Sequence, residues 1–172
     1  MSPGCPTEDL RRQDPKGRLA RAWALVGVSL LFFFAIQRLG SRGIDTLATG
    51  LTPSQWGMLA LSVFVFGYGE GVLALERRWV PRLIDRADEL SLECNPFYRW
   101  VAPLYGMSLV GAARKEMIRS WGLVLAILGA VVLVGRLPVP WRGIIDLGVA
   151  AALTWGLVAI ARAARPPRQT PN

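Results

Sequence analysis

Two acidic residues stand inside long apolar runs, where a carboxylate can do chemistry. Glu70 lies in Gly67-Tyr68-Gly69-Glu70-Gly71, six residues before Glu76. If Glu76 closes an apolar helix, Glu70 sits roughly 9 Å inside its end at 1.5 Å per residue. An ionised group at the centre of a membrane span costs about 2.5–3.5 kcal/mol on insertion scales, so it needs a reason. One reason is proton or cation binding, with Tyr68 completing an ion-binding site. The plainer reason is a structural ion pair with Arg21 or Arg162, which fall at a similar depth. Asp146 follows Trp141 by five residues, which places it roughly 7 Å inside the opposite end of its own run. Arg142 is one turn away, and a structural pair with it, with Arg38 or with Arg136 is the plain reading. Glu70 and Asp146 then lie toward opposite faces. They do not form a catalytic pair, though they could be two stops on one polar path.

A second group is basic. Arg99, Arg114, Lys115 and Arg119 cluster in one segment, and the last three fall on neighbouring turns if it is helical. Such a cluster can hold an anionic head group or a partner protein. No metal or cofactor site accompanies it. The chain has no histidine, which excludes bis-His haem, the usual zinc sites and any Ser-His or Cys-His nucleophile. The two cysteines, Cys5 and Cys94, fit neither a metal site nor a CxxC and read as unpaired thiols. The glycines around Glu70 do not read as a dinucleotide loop, because no strand precedes them. Gly67 and Gly71 instead form a small-xxx-small pair, as do Gly148, Ala152 and Gly156, and Gly122, Ala126 and Ala130; such ridges let helix backbones approach closely.

These residues must be carried by helices. The 172 residues are 52% hydrophobic, with a mean hydropathy of +0.35, and the apolar residues form long runs rather than a period of 2 or 3.6. The pattern predicts an all-α integral membrane protein with four transmembrane helices, over about 21–38, 55–75, 120–137 and 143–161. Residues 1–20 read as a mobile tail, the first run as an uncleaved span rather than a signal peptide, Gly40 to Ser54 as a loop, and 162–172 as a disordered tail. Between spans two and three runs a loop, 76–119. Its first part carries a helical stripe of Val80, Leu83, Ile84, Ala87, Leu90 and Cys94, with Arg82, Asp85, Arg86, Asp88, Glu89 and Glu93 opposite. That polar face is acidic, unlike the basic face of a helix adsorbed on anionic lipid, so the helix is expected to pack on protein. Residues 97–113 read as a re-entrant or interfacial segment.

The formal charge is +8 and the pI about 10.7. The basic residues flank apolar runs, which speaks for a membrane and against nucleic acid. With the N-terminus inside, all but Arg38, Arg42, Arg136 and Arg142 of the 20 Lys and Arg residues fall on the cytoplasmic side. That bias predicts both termini inside, as in a bacterial cytoplasmic membrane. Trp56, Trp79, Trp121 and Trp141 mark span ends, while mid-span Trp155 must find a partner for its N–H.

Three functions fit. The leading one is a non-catalytic accessory subunit, scaffold or assembly factor, bound to other membrane proteins or to itself through helix–helix contacts. The alternative is a homo-oligomeric transporter of an ion or small solute using Glu70. A second alternative is a membrane enzyme acting on a lipid or prenyl substrate at the Arg99–Arg119 cluster, for which no nucleophile presents itself.

Overall fold

The computed structural model describes residues 15–92 and 96–164. The two tails beyond these bounds, Cys5 and Cys94 lie outside the described residues. Those described contain helices and turns and no strand. Four helices are long and apolar enough to cross a membrane: Gly17–Ala48, Pro53–Leu90, Arg114–Gly135 and Trp141–Ala163. The expected number of such helices is therefore met, but two run well past the expected limits.

Helix α1 (Pro15–Ala48) continues through the segment expected to be a loop. Its polar extension is held by local bonds, Ser41 to the Arg38 carbonyl and Thr46 to the Arg42 carbonyl at 3.0 Å. Gly50, at φ +81°, makes the turn, a conformation natural to glycine. Helix α2 (Pro53–Phe64) then starts with proline in its first turn, and the Thr52 N–H donates to the Gln55 side chain at 2.9 Å. Without a break it becomes a π-wound stretch (Val65–Trp79) and then α3 (Val80–Leu92). The change of winding shows where the Val80 N–H reaches back five residues to the Leu75 carbonyl. Two five-residue helices follow, α4 (Pro96–Trp100) and α5 (Ala102–Gly106). Helices α6 (Arg114–Gly135) and α7 (Trp141–Ala163) complete the chain.

The chain divides into two compact units. Unit one takes the residues up to Leu31 and Arg82–Arg142; unit two takes Phe32–Pro81 and those from Gly143 on. In unit one, α3 packs on its own chain. Leu83, Ala87 and Leu90 are buried, and a Cβ on Gly106 of α5 would come within 2.9 Å of Leu83. Pro103 of α5 sits directly against Gly27 of α1. The described part of the apolar stripe is thus buried, with Leu83 against α5, and the Arg21–Asp88 ion pair joins the charged face of α3 to α1. In unit two, α7 supplies the core through Ile144, Ala150, Ala152, Ala159 and Ile160. Its small residues admit neighbours: Gly148 touches Ser62 and Phe66, and Gly156 touches Leu75 and Phe32. The Ser62 hydroxyl also donates to the Ile144 carbonyl at 3.1 Å.

Candidate functional site

Glu70 falls in the π-wound stretch. That winding widens the turn, and its short forms recur at functional sites. The side chain is exposed, and it makes no hydrogen bond or ion pair with any described residue. Both expected partners are engaged elsewhere. Arg21 forms an ion pair with Asp88 of α3, and the Arg162 guanidinium lies 5.7 Å from the centre of the Trp155 ring. Within its own unit Glu70 therefore does not pair with Arg162. Tyr68, beside it, is half-exposed and stacks on Phe64 at 6.0 Å. A Cβ added at Gly67 or Gly69 would meet nothing within 4 Å. Gly71 behaves differently: it is buried, and a Cβ there would lie 3.2 Å from Trp155 and 3.4 Å from the Ala152 backbone. Only one member of the Gly67/Gly71 pair is used for packing inside the chain.

Trp155 answers the question its position raised. Its indole N–H donates to the Glu76 carboxylate at 2.6 Å. Glu76, Trp155 and Arg162 thus form a cluster of carboxylate, indole and cation. The sequence reading treated Glu76 only as the end of a span. The available signal was the unpartnered indole, which demanded an acceptor somewhere on another helix. Thr154 bonds back to the Ala150 carbonyl at 2.7 Å, the common arrangement for a threonine inside a helix.

Asp146 is buried, only 4% exposed, whereas Glu70 is exposed, so their environments differ. Arg142 donates to the Gly135 carbonyl at 3.4 Å across the Pro138–Pro140 turn.

Arg114, Lys115 and Arg119 are exposed on the first turns of α6, and the side chain of Arg99 lies outside those described. The charge that organises this region is Arg86, a residue the sequence reading assigned to a polar face. It reaches Glu89 at 2.9 Å and Glu116 at 3.1 Å, and its guanidinium lies 5.4 Å from the centre of the Tyr105 ring. Burial alone would lower its pKa; the hydrogen bond to Glu89 and the charges of Glu89, Tyr105 and Glu116 outweigh this and raise it. Tyr105 is itself buried beside Tyr98, 5.5 Å between ring centres. The Trp121 indole donates to the Leu109 carbonyl at 3.3 Å. Arg86 and Trp121 therefore tie α3, α5 and the irregular 107–113 segment to the start of α6. The outward side of α4 and α5 keeps Phe97, Trp100 and Leu104 exposed, Trp100 at 84%.

The third small-residue ridge is the one left open. None of the described side chains in the most apolar 18-residue window of α6 is buried. Added Cβ atoms at Gly122 and Gly129 would meet nothing within 4 Å. The partly covered positions, Met117, Ser120, Val124 and Val134, fall on the side of α6 roughly opposite Gly122, Ala126 and Gly129 at 3.6 residues per turn.

Fold and site together define an all-helical protein with four helices fit to cross a membrane, consistent with an integral membrane protein. No family model, no curated protein and no solved structure matches the chain.

Proposed function

We propose that the chain is a non-catalytic membrane protein that acts as an accessory subunit, scaffold or assembly factor. It works by binding other membrane proteins through exposed helix faces. In this reading it resides in a bacterial cytoplasmic membrane with both termini inside, and α3 together with 97–113 lies on the cytoplasmic side. The observation that carries the reading is the state of α6. Packing between membrane helices relies on small residues that let backbones approach. The ridge on α7 is consumed inside the chain, while that on α6 faces away from the side its own unit covers.

A photo-cross-linking amino acid at Ala126, compared with one at Val131 on the far side of α6, tests this in intact cells. The expected result is a discrete protein adduct from Ala126, absent from Val131 and lost when Gly122→Leu is added. Lipid labelling alone from both positions would overturn it. The transporter alternative keeps one supporting observation, a Glu70 carboxylate with no hydrogen bond or ion pair among the described residues. It requires proton-linked flux in proteoliposomes that Glu70→Gln abolishes at normal expression.

A further inference from the structure

The stretch 64–71 presents an exposed carboxylate on a helix fit to span a membrane, with no partner among the described residues. The cations expected at its depth are taken, Arg21 by Asp88 and Arg162 by Trp155. The backbone around it is bare: Gly69 precedes it, Gly67 lies about a turn away, and neither would bring a Cβ within 4 Å of anything.

We propose that Glu70 anchors a transmembrane helix of a different protein, one that carries a single arginine or lysine within its apolar span. This rests on the reading of the chain as an accessory subunit, but uses a face other than α6. An ionised carboxylate held in hydrocarbon is relieved by a cation placed against it, and intramembrane charges characteristically pair. Bare glycines beside the carboxylate let the partner backbone come close enough for that contact. Charge complementarity also selects between a foreign helix and a second copy. A twofold interface sets the same patch against itself. Residues 64–71 contain one carboxylate and no cation, so a symmetric pair would oppose like charges.

The test uses full-length protein, donor-labelled, in phosphatidylcholine vesicles. The probe is a synthetic leucine–alanine helix of about 20 apolar residues, acceptor-labelled, with one arginine about six residues from its end. The control helix has leucine at that position. The arginine helix should reach half-maximal energy transfer at about tenfold lower peptide-to-lipid ratio than the leucine helix. Glu70→Gln should erase the difference and Glu70→Asp should retain most of it. Since Glu70 makes no hydrogen bond or ion pair with a described residue, Glu70→Gln removes no such bond among them. Equal transfer from both helices would overturn the proposal, and so would arginine selectivity that survives Glu70→Gln. Transfer between two labelled copies of the protein, lost in Glu70→Gln, would overturn it in favour of self-association. Arginine selectivity without any Ala126 adduct in cells would remove the role of α6 and leave the Glu70 contact standing.

Discussion

At the scale of single residues, the glycines separate into two populations that substitution will reveal. Gly148 has Ser62 and Phe66 against it, with the Ser62 carbonyl carbon, a backbone atom, at 3.1 Å from an added Cβ. Overpacking of that kind costs about 1–3 kcal/mol, so Gly148→Ala should lower the thermal midpoint in detergent. Gly40, within α1, has open space around it. There alanine adds only helix propensity, worth up to about 1 kcal/mol, and Gly40→Ala should leave the midpoint unchanged or raise it. The same melts check Trp155→Phe. It removes the donor to Glu76 while keeping most of the ring; with Trp155 40% exposed, the loss should be about 1 kcal/mol, the ordinary net worth of a hydrogen bond. A loss no larger than that of Trp141→Phe, at an exposed helix start, would mean that the bond contributes nothing.

At the scale of elements, α3 is committed to its own fold, so its apolar stripe and its charged face should respond differently. Leu83 is 1% exposed, and truncating a buried leucine costs about 2–5 kcal/mol. Leu83→Ala should therefore destabilise the protein strongly, while Asp85→Asn on the exposed face should change little. Near-equal melting of the two would show that the stripe is not buried in solution. This helix was legible in the sequence because amphipathic periodicity survives in short charged segments. The ends of α1 and α2 were not. Arg38, Gly40, Arg42 and Gly43 mark where apolar character ends, but the helix runs on to Ala48, where the Thr49 hydroxyl donates to the Thr46 carbonyl at 2.7 Å. The π winding of 65–79 leaves no trace in composition. Pairing was the least legible property. Depth along a helix suggested Arg21 or Arg162 for Glu70, but depth says nothing of the direction a side chain takes around the axis. Arg21 points to Asp88 and Arg162 to Trp155.

For the molecule as a whole, the decisive question is which side of a membrane each connection occupies, and length restricts the answers. A five-residue helix covers about 7.5 Å, while a hydrocarbon core is about 30 Å thick. Neither α4 nor α5 can cross, and the irregular 107–113 stretch cannot lie in lipid, where unpaired backbone is excluded. Four helices fit to cross remain; if all four cross, as we propose, the two described ends share a side. The proposed orientation rests on the charge asymmetry: Arg77, Arg78, Arg82, Arg86, Arg114, Lys115 and Arg119 flank the connection between the second and third long helices, against Arg38 and Arg42 near the end of the first. The exposed Phe97, Trp100 and Leu104 suit a head-group layer, where an aromatic ring keeps its apolar body shielded and its polar edge wet. The prediction uses single cysteines in a chain whose Cys5 and Cys94 are replaced by serine. Gly111 is a poor probe, because a side chain there would collide with Tyr105. Exposed Ala113 and Ser54 serve better. Ser54→Cys should react with a membrane-impermeant maleimide on intact cells, and Ala113→Cys only after permeabilisation. The reverse pattern would place the basic loop outside and exchange the cytoplasmic and external assignments of every connection. Labelling of both from outside would require an even number of crossings between them, which the single long helix Pro53–Leu90 does not supply.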